Sequence, residues 1–280
     1  MAIQTSHLRR KWTNGVMLGA SGFAAAIGIA LLALILGYTL VHGISYLNWD
    51  VLTHTAKPAG EAGGGLLNEI IGTVVLVALA SAMALPVGLL TGLFLSDFAG
   101  PRTAAGVRFA ADILAGVPSI VVGVIAYAIV VEPMHGYSAV AGGVALAIIM
   151  IPIVARTAEE ALRLVPHSMR EAALALGITR WRAVFGVILP GALTGVITGI
   201  MLAVARIAGE TAPLLFTSFG NYFGFDGLTK PISALPLTIY KYALSAYQDQ
   251  NQLAWAGAFI LVVLVLLISI VVRWVSRPKR

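Results

Sequence analysis

The chain has 280 residues, of which 59% are hydrophobic and 11% charged, and its mean hydropathy is +0.93. A soluble domain carries about 25% charged residues and could not bury this much apolar surface, so the composition excludes a soluble enzyme and a disordered chain and indicates an integral membrane protein. The net charge of +6 matters less than the positions of the basic residues, and the lack of cysteine in the sequence excludes disulfides, thiolate metal ligands and cysteine nucleophiles.

The first apolar segment covers residues 15–41 and follows three basic residues at positions 9–11. A signal peptide also begins with basic residues, but its apolar region is only about 7–15 residues long and a cleavage site follows it. Here the apolar region is long enough to span a bilayer. We therefore predict a retained transmembrane helix, followed by a flexible loop that contains the glycines at 63–65.

Two further spans are predicted at residues 70–95 and 110–131. The second is interrupted by Gly116-Val117-Pro118-Ser119. Membrane helices tolerate such a break where the backbone lines a cavity or is buried in protein. Asp112, just inside this span, is predicted to be a helix-start residue rather than a ligand.

The fourth span is predicted at residues 139–155, and charged residues follow it directly. Arg156, Glu159 and Glu160 lie at its inner end. An arginine at a membrane boundary commonly extends to the lipid headgroups. The residues alone therefore favour a headgroup contact for Arg156 over a functional charge.

The segment from Pro166 to Gly177 has the pattern of a short capped helix. Ser168 and Glu171 have the spacing of a capping box, and Gly177 fits the left-handed position that ends a helix. A small apolar face is expected at helical spacing, formed by Met169, Ala172, Ala173 and Leu176. Thr179 is expected to cap a second helical stretch.

Two interpretations of this cytoplasmic segment follow from its pattern. It is either an amphipathic helix on the lipid headgroups, with Arg170, Arg180 and Arg182 near phosphates, or a helix that docks on another protein. Its alanine-lined face would allow a close approach by a partner.

The fifth span is predicted at residues 191–208 and contains Arg206, a residue that is costly within a bilayer. Glu210 lies four residues later, so the two side chains can pair along one helix face. Either they form a structural ion pair near the interface, or Arg206 handles an anion, since a guanidinium has a planar fork of donors that matches an oxyanion. In the second case Glu210 would hold the arginine while substrate is absent.

The sixth span is predicted at residues 254–272, after a mixed segment at 211–251 that is apolar enough to pack partly against the bundle. Fourteen of the 18 Lys and Arg residues fall on one side of the six spans, including Arg277, Lys279 and Arg280, and only Lys57, Lys230 and Lys241 fall on the other. The positive-inside rule places the basic side, with both termini, in the cytoplasm.

Several stretches resemble a known family. Glu171-Ala172-Ala173, Gly177 and Leu189-Pro190 together resemble the EAA loop of importer-type ABC permeases, although Val187 stands where that family usually has isoleucine. Three more stretches resemble the PstA permeases of bacterial phosphate importers, namely residues 111–123, residues 206–217, and residues 235–240 with 253–257. The Gly-Glu-Thr-Ala-Pro sequence within the second is the most specific of them.

The resemblance implies an all-α integral membrane protein with six transmembrane helices, the MetI-like fold of type I ABC importer permeases and cytoplasmic termini. It covers about residues 66–275, the expected permease domain, with the coupling loop at about 157–190. Residues 1–65 are expected to form the N-terminal tail, the first helix and an outer loop, and residues 276–280 a cytoplasmic tail.

The family also implies functional residues. The implied substrate pathway contains Arg206, Glu210, Thr211, Arg156 and Glu159. The implied surface for coupling to an ATPase contains Glu171, Ala172, Ala173, Gly177, Leu189 and Pro190. The sequence shows no phosphate-binding glycine loop and no nucleophile–base grouping, so we expect a translocation subunit rather than an enzyme, with no metal or cofactor of its own.

The implied function is import of inorganic phosphate across the bacterial inner membrane by alternating access. The implied partners are a PstC-like permease subunit, a PstB-like ATPase dimer that binds ATP and Mg, a PstS-like binding protein, membrane lipid, and PhoU or a sensor kinase, with no nucleic acid. Two alternatives stay open on the residues: a permease for sulfate or molybdate, and a scaffold that reports phosphate status. The coupling loop disfavours a secondary transporter.

Overall fold

A computed structural model describes residues 2–58, 61, 63–221 and 224–275, and α-helices dominate this part of the chain. The expected tail at 276–280, which includes Arg277, Lys279 and Arg280, lies outside the described residues. The helices are α1 (Ala2–Tyr46), α2 (Trp49–Thr53), α3 (Leu67–Leu93), α4 (Pro101–Gly116), α5 (Ser119–Ala126), α6 (Ala139–Arg163), α7 (His167–Ala175), α8 (Arg180–Ala183), α9 (Leu189–Ala208), α10 (Ala212–Thr217), α11 (Leu235–Ala243) and α12 (Gln248–Val275). Within the described residues the β-structure amounts to one bridge between Phe219 and Ile232.

Short π-helical turns extend or join some of these helices. They lie at Phe94–Phe98 after α3, at Tyr127–Val131 after α5 and at Val184–Ile188 between α8 and α9. Five helical segments are then long and apolar enough to cross a bilayer: Arg9–Tyr46, Leu67–Phe98, Ala139–Arg163, Arg180–Ala208 and Gln248–Trp274.

The α4–α5 pair supplies the remaining crossing. The two helices are bent by 99° at a short break. The direction of their neighbours shows that the pair takes the chain across: α3 and α6 pack side by side with Gly88 facing Val154 and Gly92 facing Ala158, a parallel register. Because α3 and α6 run the same way, the segment between them must return to the opposite end. The six predicted spans are confirmed.

A row of small residues brings α3 and α6 together. Ala80, Ala84, Gly88 and Gly92 recur at every fourth position of α3, and all four are buried. Small side chains at this spacing let membrane helices approach closely and gain van der Waals contact, because lipid offers no hydrophobic drive for helix association. This pair forms the centre of the bundle, and α9 packs beside it.

The predicted break in the third span is present, but the helices around it differ from the prediction. Val117 is extended, with φ −66° and ψ 130°, because the ring of the following Pro118 excludes the helical conformation at the residue before it. The first helix of the pair begins at Pro101, not near residue 110. Asp112 therefore lies in the last turns of α4, and its predicted role as a helix-start residue is wrong.

Helix α1 lies at the edge of the bundle. Its residues from Arg9 to Leu36 are exposed, and contact with α12 is confined to its outer end, where Tyr38 and His42 meet the ring of Trp255. Part of the outer segment at 211–251 packs on the bundle, as predicted, since α11 buries Leu235 and Leu237 and the amide of Leu235 donates to the hydroxyl of Thr73 at 2.8 Å.

Candidate functional site

Arg206 occupies the last turn of α9 and pairs with Glu210 beyond the helix end. The helix ends at Gly209, whose amide donates to the Arg206 carbonyl. Arg206 Nη2 lies 3.1 Å from Glu210 Oε1, and the arginine side chain is 58% exposed whereas the glutamate is 13% exposed. The predicted pairing is confirmed, but Glu210 follows the end of α9 and does not lie on a face of that helix. Because a guanidinium carries five N–H donors, this ion pair leaves the exposed arginine able to bind a second anion.

The exposed side of Arg206 faces a cavity of about 420 Å³. Three elements line it: the α4–α5 break, α6 and α9. The lining residues are Leu114, Ala115, Val117, Ser119, Ile149, Ile153, Leu202 and Arg206. Arg206 is the one charged side chain in this lining, and Ser119 adds a hydroxyl to otherwise apolar side chains.

Glu210 and Thr211 lie behind this arginine rather than in the cavity lining. Thr211 precedes α10, and its carbonyl accepts a hydrogen bond from the amide of Leu214 at 3.1 Å. Glu210 pairs with the guanidinium and so suits the role of orienting it. The pathway role implied for both stays a prediction.

A second charged cluster lies at the inner end of α4 and α6. The carboxylate of Glu159 is 2% exposed and accepts from Arg108 Nε at 2.8 Å and from Arg156 Nη1 at 3.3 Å. It also forms salt bridges with Arg108 Nη2 at 2.7 Å and with Arg163 Nη2 at 3.0 Å. Arg156 Nε also lies 3.2 Å from Asp112 Oδ1. Arg156 is therefore held between two acidic residues of the bundle, and the predicted extension to the lipid headgroups is wrong.

The cluster balances a buried anion with an excess of cations. Burying a carboxylate is costly unless several donors surround it, and here three arginines do so. With Glu159 and Asp112 as the acids, the cluster keeps one formal positive charge. It adjoins the Arg206 cavity, because Ile153 in the cavity lining lies one helical turn before Arg156.

Arg163 and Arg108 were not singled out from the sequence. Arg163 follows Glu159 by four residues on one helix, so the spacing of an ion pair was present in the sequence. Arg108 comes from another helix, 51 residues away. No local pattern predicts that contact.

The helix predicted at 166–177 is present as α7, which begins at His167 and ends at Ala175. Gly177 has φ +76°, so the predicted left-handed ending is confirmed. The predicted capping box is wrong. Pro166 holds the N-cap position without a side-chain hydrogen bond, since its fixed φ already suits a helix start, and Ser168 lies inside the first turn. Thr179 likewise precedes α8 without a side-chain cap.

The apolar face of α7 is largely exposed. Within it only Ala173 is buried, whereas Met169 is 41% and Leu176 79% exposed. Glu171 and Ala172 are also exposed. Exposed apolar side chains outside the spans are suited to contact with a protein partner or with the lipid surface.

Arg170 attaches α7 to the membrane helices through contacts that no local sequence pattern predicts. It forms a salt bridge from Nη1 to Asp97 Oδ1 at the inner end of α3, and Nη2 donates to the carbonyl of Leu162 on α6 at 2.6 Å. Burial lowers the pKa of Arg170, and the positive charge of Arg180 lowers it further. Of the two interpretations of this segment, the one that places Arg170 near lipid phosphates does not fit these contacts.

Leu189 and Pro190 begin α9, where the chain re-enters the bundle. Leu189 packs against a buried cluster that includes Leu162 and Val184, and Pro190 is at the first turn, where a proline costs no hydrogen bond. They join the α7–α8 loop to α9. Among the described residues no group of three or more His, Cys, Asp or Glu side chains is placed to hold a metal ion.

The chain is similar to a known family and to proteins of known name. Residues 84–280 match the family described as "Binding-protein-dependent transport system inner membrane component". The chain is 43% identical over 272 residues to the phosphate transport system permease protein PstA of Yersinia pestis, with 97% of this chain and 92% of that protein covered. The corresponding protein of Haemophilus influenzae is 41% identical over 272 residues, with 97% and 96% covered.

The fold is also similar to a solved structure. A crystal structure of a bacterial ABC transporter involved in the import of the acidic polysaccharide alginate has a TM-score of 0.66 against this chain. The similarity covers 92% of this chain and 95% of that chain at 13% sequence identity. At that identity the similarity shows the fold alone.

Proposed function

Because this chain belongs to the family of binding-protein-dependent transport system inner membrane components, we propose that it is the phosphate-translocating permease subunit of an ATP-driven importer. It is a multi-pass protein of the inner membrane. It works with an ATPase and a substrate-binding protein, and it is not itself an enzyme. Phosphate as the substrate is supported by the names of relatives that are 41–43% identical along nearly the whole chain.

Arg206 is the observation that carries the proposal. Its guanidinium is the one charged group facing the cavity, and its planar fork matches the oxygens of a tetrahedral oxyanion. Glu210 occupies Nη2 and holds the fork when no substrate is bound. An exposed single arginine binds phosphate weakly, since water competes for both partners. Weak binding suits a site that must release its substrate after each cycle.

The charged cluster around Glu159 suggests how the pathway continues toward the cytoplasm. We place Arg156 and Glu159 on the cytoplasmic stretch of the pathway, below the Arg206 cavity. The surplus positive charge of their cluster would attract an anion that leaves the cavity, and the buried carboxylate would prevent the arginines from retaining it. Alternating access then needs α4 and α6 to separate at this cluster in the inward-open state.

The finer identity of the partners belongs to the same proposal. A PstC-like subunit would supply the other half of the pathway, a PstB-like ATPase dimer would bind ATP and Mg and dock on α7, and a PstS-like protein would deliver phosphate to the outer face. PhoU or a sensor kinase would read the state of the complex. The exposed apolar face of α7 supports a protein partner at that position.

The test measures uptake of labelled phosphate at micromolar concentration in cells that lack this chain and in cells with the chain restored. Arg206→Gln should abolish most uptake while the complex still assembles, because the glutamine cannot present a charged fork. Lys230→Gln is the matched control, since it removes one positive charge from an exposed outer position away from the cavity. Labelled sulfate is measured in parallel.

Three results would contradict the proposal. If sulfate uptake depends on the chain, the substrate is sulfate rather than phosphate. If restoring the chain changes the uptake of neither anion, the chain does not transport them, and the scaffold role replaces transport. If the Arg206 and Lys230 variants lose phosphate uptake to the same extent, Arg206 has no specific role in the pathway.

A further inference from the structure

A short connection and one polar side chain join α7 to the spans that precede it. Ala173 is the one buried residue of α7. The helix packs on residues that follow it in the chain, namely α8 and the turn at Val184–Ile188. Residues 164–166 connect it to the end of α6, and the Arg170 side chain adds polar contacts with the inner ends of both preceding helices.

Arg170 contacts both α3 and α6. Its Nη1 pairs with Asp97 and its Nη2 donates to the Leu162 carbonyl at 2.6 Å, while Ser96 Oγ lies 3.5 Å from Nη2. The arginine side chain is 15% exposed and that of Asp97 is 5% exposed. Water therefore screens this link much less than it screens a surface pair.

These contacts lead directly to the charged cluster of the pathway. Leu162 follows Glu159 by three residues on α6. The Leu162 carbonyl that Arg170 contacts is therefore one helical turn from the carboxylate that pairs with three arginines. Asp97 terminates the span of α3, which packs along the whole of α6. The Arg170 contacts therefore connect α7 with the two helices at the centre of the bundle.

The Arg170–Asp97 pair has polar atoms left over that could form a second set of contacts. Among the described residues, the buried atoms Asp97 Oδ2 and Arg170 Nε have no hydrogen-bond partner. A fork with an unused donor beside a carboxylate with an unused acceptor can re-form its contacts after a small movement. An element that has two discrete arrangements is what coupling between distant sites requires.

We propose that the Arg170–Asp97 pair is the coupling link that transmits movement of the motor from α7 to α3 and α6. Arg170 is a positioning residue: it touches neither ATP nor substrate. The inference rests on the proposed function, since it assumes an ATPase docked on α7. Loss of the pair should let ATP hydrolysis continue without proportionate transport.

The test uses the complete complex, with its ATPase and binding protein, reconstituted in vesicles and supplied with labelled phosphate and ATP. Both rates are measured in the same preparation. In Arg170→Gln the phosphate moved per ATP hydrolysed should fall about tenfold, with hydrolysis within about twofold of the unsubstituted complex. Asp97→Asn should act in the same direction.

Two further variants separate coupling from charge and from stability. Arg182→Gln removes the same charge from an exposed position on α8 and should leave the ratio unchanged. Arg170→Lys keeps the charge but loses the fork, so it should give an intermediate ratio. A role in stability alone would lower assembly, hydrolysis and transport together.

The outcomes distinguish the two proposals. An unsubstituted complex that hydrolyses ATP without moving phosphate would overturn the proposed function. A transporting complex in which Arg170→Gln and Asp97→Asn keep the normal ratio would overturn the coupling link alone. If Arg170→Gln fails to assemble, the assembled Arg170→Lys complex decides: a lowered ratio supports the link, and a normal ratio overturns it.

Discussion

Differences in exposure separate the ion pairs of this chain by what they can do. In the Arg206–Glu210 pair the acid is nearly buried and the arginine is exposed to a cavity, so the cation can meet a second anion. In the Arg170–Asp97 pair both side chains are largely buried, so the pair can only join the elements that carry it. A pair of arginine and carboxylate is therefore suited to binding in one place and to attachment in the other.

Glu159 is the residue whose loss should most destabilise the charged cluster. Glu159→Gln leaves three arginine side chains within reach of one another without the buried carboxylate that they share. Removing one partner of a buried charge network costs up to about 3–5 kcal/mol, and partial exposure of these arginines reduces the loss to roughly 1–3 kcal/mol. The melting temperature of the purified complex should fall measurably.

Glu160→Gln supplies the control for that measurement. Glu160 is the next residue along α6 but is exposed, so it loses the same charge without leaving a buried network unbalanced. Its melting temperature should stay close to that of the unsubstituted complex. Equal shifts in the two variants would mean that the ion pairs around Glu159 contribute no stability beyond the general effect of charge.

Which of these pairs the sequence could predict depends on their separation. Arg156 and Glu159 are three residues apart on one helix, and Glu210 follows Arg206 by four residues at a helix end, so local geometry alone can bring the side chains of each pair together. Arg170 and Asp97 are 73 residues apart, and Arg108 and Glu159 are 51 apart. Only the packing of the helices defines those contacts.

At the scale of the elements, hydropathy predicted which segments cross the membrane but not where the helices end. The fifth span was predicted at 191–208, yet the helical segment begins at Arg180. Hydropathy reports the hydrocarbon region, whereas a helix continues into the interface for as long as its backbone bonds can be made. The short π-helical turn before α9 lies in that extra length, and hydropathy does not predict it.

The small-residue row of α3 gives a test of the central helix pair. A methyl group added at Gly92 would lie 2.7 Å from Ala158 Cβ and 2.9 Å from the Ala155 carbonyl oxygen. Gly92→Ala must therefore push α3 and α6 apart, and overpacking of this kind costs about 1–3 kcal/mol. We expect a lower melting temperature of the purified complex.

Gly106→Ala makes the same substitution in α4, where an added methyl group would meet nothing within 4 Å. The melting temperature of that variant should equal that of the unsubstituted complex, because alanine is at least as good a helix former as glycine. If Gly92→Ala were as stable as Gly106→Ala, close contact between α3 and α6 would not be needed for the fold.

Over the whole molecule, the functional groups lie in series along the central helices. The exposed face of α7 is followed by the Arg170 link, the cluster around Glu159 and the Arg206 cavity, and α6 runs past all of them except α7 itself. Under the proposed coupling, this order would let a loop outside the membrane act on a site within it. It also predicts that access to the cavity changes with the state of the ATPase.

The lack of cysteine in the sequence makes this last prediction directly measurable. Ser119→Cys places a single thiol in the cavity lining beside the α4–α5 break. A membrane-impermeant thiol reagent added to one side should label it in one nucleotide state and not in the other. The rates should differ about tenfold or more, since the minor conformation of a two-state protein is populated at about 0.1–10%.

Ala25→Cys on α1 is the matched control, because it lies in the middle of a span at the edge of the bundle and away from the cavity. It should label slowly in every nucleotide state, since a thiol surrounded by hydrocarbon does not ionise and meets no polar reagent. Labelling of Ser119→Cys at one rate with and without ATP would contradict alternating access at this cavity. If the labelling of Ser119→Cys depends on the nucleotide state, and still does so when Arg170→Gln is added, the cavity opens without the link to α7.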